Sequence, residues 1–498
     1  MDVLSSSSWK TPANAATAGT VSLGGLPPEM LHRIFAYMKP KDVVSARLVC
    51  SLLATIGAEH LTEEIRLMYA SDSFEDAKNL SAHPVGKRVT RLFFLGDRVN
   101  EYPTLESWAN GSEIARSLTS LESNTSPGLS PSAWDAHLGA GRRYARFSAS
   151  GHEATLRSYT TTVNLFRDQQ QLADSGADVE YLVDLFRHCP RLDSIELSIG
   201  SAHKRLGGKL APQKPASDIE PYKAGAYHMQ TICAATKTAG RTLKCLSAYD
   251  VGYRFLEQEP SQAALMKEAL KTLHSFRLRI AAAFDEDSYD ENDVFEDNSD
   301  HASLLLSQGA LRDILTSMPH LRILRLKLPS ANADDELSPI GTLNDVVGSV
   351  IWPKLRDFGI STICTTENDL VDFLFRHSAR LRRLSLSSIM LTHGNWRTLF
   401  SHIAGRFPRL QKVKLSGDLS HHDGGRERAA FRFPIAGKKG SPVRQAMERY
   451  VREGGAYPDP STLGRGPATV VHRKEDDGEY DSGGSHISYG SDEFDLLV

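Results

Sequence analysis

The chain has 498 residues, which is enough for a sizeable hydrophobic core and for about two to four domains. Its formal net charge of −3 argues against general binding to nucleic acid, and its five cysteines are scattered without a Cys-x-x-Cys pair, as in proteins of a reducing compartment. No apolar run reaches the roughly 18 residues of a membrane span, and residues 1–22 lack the apolar segment of a secretory signal. We therefore expect a disordered N-terminus and a location in the cytoplasm and/or the nucleus.

Two short amphipathic helices are predicted between Leu26 and Cys50, in LPPEMLHRIFAYMKPKDVVSARLVC. Pro27 and Pro28 are tolerated only at the start of a helix. Apolar residues then recur at helical spacing in two stretches, which residues 39–42 separate. Helices this short cannot bury all of their apolar surface against each other, so part of it must meet the rest of the chain or a partner.

The same segment resembles the F-box, the motif by which substrate receptors dock on the Skp-type adaptor of SCF (cullin-RING) ubiquitin ligases. The resemblance covers residues 23–67 and rests on Leu-Pro-x-Glu, an Ile-Phe pair, a Pro-x-Asp turn and Arg-Leu-Val-Cys. F-box sequences commonly carry a Trp shortly after Val-Cys, where this chain has Ser51-Leu52-Leu53. The run that follows is nevertheless similar to many fungal F-box sequences.

The resemblance implies a set of adaptor contacts on the two helices. Carried over position by position, these contacts are Leu26, Pro27, Met30, Ile34, Phe35, Met38, Val43 and Val44. The alternative is an ordinary helix pair in a soluble domain, in which the motif letters coincide by chance.

Beyond the helices, a recurring unit is predicted over residues 86–418. Each unit has an amphipathic helix, a Pro or small polar residue, and then Leu-x-x-hydrophobic-x-hydrophobic. Residues 63–76 are predicted to be helical, and residues 89–95 form the first predicted strand. The clearest copies of the whole unit are residues 182–199, 311–328, 370–386 and 399–415, and weaker strand copies are residues 243–246, 273–278 and 355–360.

One such unit cannot cover its own apolar face, so stacking of the units is required for stability. The predicted fold class is therefore α/β, with N-terminal all-α F-box helices followed by an irregular leucine-rich-repeat-like solenoid that has a parallel sheet. The unit starts are separated by about 26 to 51 residues. A conventional α/β domain with crossover helices remains the alternative.

Several stretches interrupt or follow the repeats. Residues 101–149 are rich in turn formers and are predicted to be an insertion. Residues 285–300 contain nine acidic residues and no basic one, and they are predicted to form a solvated loop that does not match a calcium-binding loop. Residues 441–455 are predicted to be a C-terminal helix, and residues 461–498 a disordered acidic tail.

Enzyme motifs are absent from the sequence, including the phosphate-binding loop, the zinc-protease motif and the nucleophile elbow. His421-His422-Asp423 lacks a fourth ligand at metal-binding spacing. His188 and Cys189 are adjacent, and adjacent side chains on a helix do not face each other. We therefore expect no catalytic residue, no metal, no cofactor and no enzymatic activity in this chain itself.

Alternation along the strands predicts a basic concave face on the second half of the sheet. At the same alternating positions of the strands, the only acidic residues are Glu196 and Asp357. The expected substrate-binding residues are Arg277, Arg279, Arg325, Lys327, Arg383, Lys412 and Lys414. Such a face favours an acidic or phosphorylated protein partner. A merely solvated strand face is an alternative, and RNA is disfavoured because no aromatic residues are interleaved.

The functional hypothesis is a substrate-recognition subunit of an SCF-type ubiquitin ligase. The F-box would dock the Skp-type adaptor and thereby the cullin, and the repeats would bind a protein substrate. One alternative is an F-box scaffold that binds the adaptor without forming a ligase. Another is a solenoid interaction module whose F-box-like helices only cap the first repeat, in which case Ile34 and Phe35 would be buried within the chain.

Overall fold

A computed structural model describes most of the chain outside its two ends and several internal segments. The described residues are 23–38, 40–60, 63–99, 101, 104, 152–199, 221–281, 293–330, 339–423, 426–433 and 442–458. The predicted disordered N-terminus, nearly all of the predicted insertion at 101–149, the first part of the acidic stretch and the predicted tail lie outside the described residues.

Three short helices form the N-terminal unit, after a single 3-10 turn at Leu23–Gly25. They are α1 (Pro28–Tyr37), α2 (Pro40–Arg47) and α3 (Ser51–Ala58). The two predicted helices are confirmed, and the third follows directly after Cys50. The unit has a small core of its own, which consists of Leu31, Phe35, Val43, Leu53 and Ile56.

In the described part of the chain, ten strands form one sheet, and the spatial order of the strands equals their order in the sequence. Strands β1 to β9 are parallel, and β10 returns antiparallel to β9. The strands are β1 (Glu64–Met68), β2 (Arg91–Leu95), β3 (Ser194–Ser198), β4 (Cys245–Gly252), β5 (Ser275–Ala281), β6 (Ile323–Lys327), β7 (Asp357–Thr366), β8 (Arg383–His393), β9 (Lys412–Asp423) and β10 (Arg426–Phe433).

The helices between the strands form a layer on one face of the sheet. Right-handed crossovers between strands that always advance in the same direction place every helix on the same side. Neighbouring helices contact each other along this layer, from α4 and α6 to α13 and α14. The helices are α4 (Ser71–Ala82), α5 (His152–Ser175), α6 (Ala177–His188), α7 (Pro221–Thr238), α8 (Pro260–Leu270), α9 (Asp293–Ser307), α10 (Ala310–Thr316), α11 (Leu343–Val346), α12 (Glu367–His377), α13 (Trp396–Ile403) and α14 (Pro442–Glu453).

Two rows of apolar side chains explain why the strands stack in register. Alternate residues of a strand point to the same face, so equivalent positions of successive parallel strands form rows across the sheet. All members of both rows are buried in the main core. One row is Ile65, Leu92, Ile195, Leu246, Phe276, Leu324, Phe358, Leu384 and Val413, and the other is Leu67, Phe94, Leu197, Ala248, Leu278, Leu326, Ile360, Leu386 and Leu415.

The structure confirms the α/β class and corrects two predicted elements. Residues 63–76 are not one helix, because the Glu64–Met68 segment pairs with β2 as strand β1 and a helix starts only at Ser71. Asp293–Ser307 is helix α9, so the last eight residues of the predicted acidic loop are helical. Ala302 and Leu306 explain this, since they lie four residues apart on one face of α9 and are buried in the main core.

His228, on α7, makes the fold sensitive to acid. Its ring is fully buried between Tyr69 and Phe94, and Nε2 lies 2.9 Å from the carbonyl oxygen of Gly96. Burial lowers the pKa of His228 to about 3, and the positive charge of Arg98 acts in the same direction. Below the ordinary histidine pKa of about 6.5, the unfolded chain therefore binds a proton that the folded chain does not. The contribution of neutral, buried His228 to the free energy of unfolding is therefore present above about pH 6.5 and is lost as the pH falls below it.

We predict that lowering the pH from about 6.5 to 4.5 costs about 2–3 kcal/mol through His228, because a pKa difference of one corresponds to about 1.4 kcal/mol. Urea unfolding at both pH values measures this loss. His228→Gln keeps a donor for Gly96 and should remove most of it. His188→Gln changes an exposed histidine and serves as the control, which should keep the same loss of stability at low pH as the wild type. An equal acid dependence in wild type and His228→Gln would contradict the assignment.

Candidate partner-binding surfaces

Large exposed apolar side chains are concentrated on the N-terminal helical unit. Within the described residues, ten large hydrophobic side chains are exposed, and seven of them belong to residues 23–52. We call these seven the helical patch: Leu23, Met30, Tyr37, Val44, Leu48, Val49 and Leu52. Isolated exposed apolar residues are common, but here most of the large ones share one small unit.

The predicted adaptor contacts divide into exposed and buried residues. Pro27, Met30 and Val44 are exposed, and Leu26, Ile34 and Met38 are half-buried. Phe35 and Val43 are only 2 % and 0 % exposed, because they form the centre of the small core. These two residues support the surface from beneath instead of presenting it to a partner.

The structure adds Leu23, Tyr37, Leu48, Val49 and Leu52 to the exposed apolar residues of the unit. Their exposed fractions reach 92 % at Tyr37 and 85 % at Leu48. Leu48 and Val49 already belong to the Arg-Leu-Val-Cys part of the motif. Their exposure follows from the end of α2 at Arg47, since the last turn before α3 carries them outward.

Close contacts hold the three helices in one arrangement. Arg47 Nε donates to the Ala54 carbonyl oxygen at 3.1 Å, which links α2 to α3. A Cβ atom at Gly57 would lie 2.5 Å from Arg47 Cγ and 3.0 Å from Phe35 Cε1, so glycine permits this packing. The Phe35 ring also stacks on His60, with the ring centroids 5.9 Å apart.

The helical unit joins the sheet through polar contacts. Glu59 forms an ion pair with Arg88, and the Glu63 carbonyl oxygen accepts from the amides of Thr90 and Arg91 at 2.9 and 3.0 Å. The small core is separate from the main core. Phe35 is thus buried within the chain, as the alternative of helices that only cap the first repeat expects, although inside its own unit and not against the sheet, whereas Ile34 is only half-buried.

The second candidate surface is the face of the sheet opposite the helices. The strand register places Arg277 beside Arg325 and Arg279 beside Lys327. Farther along the sheet, it places Arg383 beside Lys412, and Ser385 beside Lys414. The seven predicted substrate-binding residues therefore lie on adjacent strands from β5 to β9, with β7 contributing Gly359 to the row.

Two of these cations have close carboxylate partners within the chain, and a third, Arg383, has a more distant one. Arg325 is buried and binds Asp357 with both ends of its guanidinium, through Nε at 3.2 Å and Nη2 at 2.8 Å. Arg279 pairs with Asp250 and lies over the Tyr249 ring at 5.8 Å. The Asp250 partner was not predicted because this residue lies in a strand irregularity with a φ of 60°, outside the regular alternation.

The remaining five predicted residues differ in exposure. Arg383 is 52 % exposed, with Nη1 3.7 Å from the Asp357 carboxylate. Lys412 is exposed, while Arg277, Lys327 and Lys414 are half-buried. Burial raises the pKa of the nearby Glu448, and the Leu415 amide, Arg444, Lys414 and Lys412 oppose that rise. The sheet face therefore carries less free positive charge than its sequence predicts.

Cys189 is buried and His188 is exposed, so these two adjacent side chains lie in different environments. Burial raises the pKa of the Cys189 thiol to about 11, so this cysteine is protonated at neutral pH. The ring of His188 is turned to the Asp184 carbonyl oxygen at 2.8 Å. Among the described residues, no group of three or more His, Cys, Asp or Glu side chains is placed to hold a metal ion. Nor is any helix of the described chain long and apolar enough to cross a membrane.

Comparison with known proteins identifies the helical unit. Residues 23–62 match the family model described as F-box-like. The match contains the whole small core and ends two residues before β1 begins. The chain therefore contains an F-box-like domain, which indicates a role in protein–protein interaction, typically docking on Skp-type adaptors of SCF complexes. No curated protein matches the chain.

Proposed function

We propose that this chain is the substrate-recognition subunit of an SCF-type ubiquitin ligase. The F-box-like domain docks the Skp-type adaptor and, through it, the cullin. The sheet and its helices hold a protein substrate, so that a recruited enzyme can transfer ubiquitin to it. The chain itself is not an enzyme in this proposal, because its contribution is to position the substrate.

The observation that carries the proposal is the helical patch on the F-box-like domain. Seven of the ten exposed large apolar side chains of the described residues belong to this short unit. Their burial against an adaptor would remove apolar area from water at about 25 cal/mol per Å². The predicted contacts Met30 and Val44 belong to the patch and Pro27 is exposed as well, while Phe35 and Val43 maintain the shape of the surface.

The sheet supports the second half of the proposal. Nine parallel strands in chain order, with helices on one face, are the arrangement expected of an irregular leucine-rich-repeat-like solenoid. Such stacks leave a broad surface for a partner. The exposed cations on the sheet face, Lys412 and the more loosely paired Arg383 above all, favour a substrate that is acidic or phosphorylated. The likeness of the N-terminal motif to fungal F-box sequences adds a fungal origin to the proposal.

A pull-down from a eukaryotic extract tests ligase assembly. The tagged wild-type chain should recover both the Skp-type adaptor and the cullin. Met30→Asp/Val44→Asp should reduce recovery of both at least about tenfold, since each change places a charge in a desolvated contact. Leu304→Asp/Ile351→Asp is the matched control, because these side chains are as exposed but lie outside the F-box-like domain.

The three outcomes separate the alternatives. Recovery of the adaptor without the cullin would favour a scaffold that binds the adaptor but forms no ligase. Recovery of neither protein by the wild type would contradict the proposal. Equal recovery by the two double variants would move the docking site away from the helical patch.

A further inference from the structure

A row of basic residues lies at the edge of the sheet where the strands begin. Backbone hydrogen bonds connect these residues from strand to strand. The His274 amide donates to the Lys244 carbonyl at 2.8 Å, and those of Arg322, Arg356 and Arg382 each donate to the preceding residue of the row at 2.7, 2.8 and 2.7 Å. Because neighbouring strands are about 4.8 Å apart, the five residues span about 19 Å.

A second basic row lies two residues earlier in the chain on three of the same strands. The two rows together form the tripeptides His320-Leu321-Arg322, Lys354-Leu355-Arg356 and Arg380-Leu381-Arg382. The central leucines are 0 %, 1 % and 0 % exposed. A buried leucine turns the residues on either side of it toward solvent. We call the six basic residues of these tripeptides the basic rim.

The basic rim has no countercharge among the described residues. All six side chains are exposed, and none forms an ion pair or a side-chain hydrogen bond with the described part of the chain. The segments that lead into these strands, residues 317–322, 349–356 and 377–382, contain no Asp or Glu. Asp357, the nearest acidic residue in sequence, is occupied by Arg325.

His274, the member of the row before Arg322, lies next to the rim. The ring of His274 stacks near that of His320, with the centroids 6.3 Å apart. Burial lowers the pKa of His274, and the positive charges of Arg322, His320, Lys354 and Lys244 lower it further. The cations therefore act together at one place on the surface.

We infer that the basic rim binds an extended acidic segment of a partner protein, whose carboxylates or phosphates pair with the rim. Guanidinium groups on three neighbouring strands suit this ligand, because each can bind a carboxylate or phosphate with two parallel hydrogen bonds. The three arginines of the row span about 10 Å, which about three extended residues cover, whereas Lys244 at the far end of the row already pairs with Asp193. The inference that the rim holds a substrate rests on the proposed function. Binding of an anion by the rim does not, because it requires only the folded sheet.

Nucleic acid is the less suitable polyanion for this surface. Binding of single strands relies on aromatic side chains on which the bases stack. The aromatic residues next to the rim, Trp352 and Phe407, are 2 % and 3 % exposed and belong to the main core. The rim thus offers charge without a stacking surface.

Fluorescence anisotropy with the purified full chain tests the inference. The probes are a labelled ten-residue glutamate peptide, the same peptide with three phosphoserines, and a ten-residue uridine RNA. Arg322→Gln/Arg356→Gln/Arg382→Gln should weaken binding of both peptides about tenfold at low salt, since exposed ion pairs contribute modestly but add up. The loss should shrink as salt is added.

The matched control is Arg187→Gln/Lys237→Gln/Arg449→Gln, which removes the same charge from exposed helix positions. It should bind as the wild type does, and both triple variants should keep the wild-type melting temperature. The inference is overturned if the wild type does not bind the peptides, if the two triple variants bind equally, or if the RNA binds more tightly than either peptide. Met30→Asp/Val44→Asp should retain peptide binding, so failure of the rim and failure of adaptor docking are distinguishable.

Discussion

Phe35→Ala is expected to unfold the three N-terminal helices and leave the sheet folded. Truncation of a buried phenylalanine costs about 3–5 kcal/mol, and a core of five side chains has little stability to spare. The main core shares no buried residue with this unit. Hydrogen exchange measured along the chain should therefore show loss of amide protection in residues 28–58 and unchanged protection in β2 to β9.

Phe35→Leu is the control for this prediction. It keeps an apolar side chain at the centre of the small core, and swaps that nearly conserve volume usually cost less than about 1.5 kcal/mol. The helices should stay protected in this variant. Retained protection of residues 28–58 in Phe35→Ala, or loss of protection in the strands, would contradict the independence of the two cores.

Asp357→Asn is expected to lower the free energy of unfolding of the sheet by about 3–5 kcal/mol. The change leaves the guanidinium of Arg325 buried without an opposite charge, and breaking a buried ion pair from one side costs about this much. Arg383, whose Nη1 lies 3.7 Å from the same carboxylate, loses a weaker and more exposed contact. Urea unfolding followed by circular dichroism measures the difference.

Two further variants separate the pair from its surroundings. Arg325→Met/Asp357→Leu removes both charges and should recover most of the stability, because apolar replacement of a buried pair is often neutral. Asp250→Asn removes the partner of Arg279, which is 17 % exposed, and should cost clearly less than Asp357→Asn. An Asp357→Asn variant within about 1 kcal/mol of the wild type would show that the pair is not structurally important.

Strands β3 to β9 could be predicted because each one is preceded by a leucine that the main core buries. Leu192, Leu321 and Leu381 each follow a Pro or small polar residue at the end of a helix and precede alternating apolar positions. Strand β1 lacks this signal. It offers only Ile65 and Leu67 between charged residues, and its pairing with β2 decides its conformation.

The site predictions required contacts that a linear pattern does not contain. The motif identifies Phe35 and Val43 as members of the F-box-like domain, but only the packing of three helices shows that they face inward. The pairs Arg325–Asp357 and Arg279–Asp250 join residues 32 and 29 positions apart, so they depend on the register of neighbouring strands. The basic rim, by contrast, is present in the sequence as a basic-Leu-basic tripeptide before three strands, at positions that precede the alternating part of each strand.

Direct binding of the purified Skp-type adaptor to the purified full chain tests the central claim. Isothermal titration should give one-to-one binding to the wild type and to Leu304→Asp/Ile351→Asp, and no detectable heat with Met30→Asp/Val44→Asp at the same folded content. Absence of binding to the wild type, or undiminished binding to Met30→Asp/Val44→Asp, would contradict adaptor docking through the helical patch.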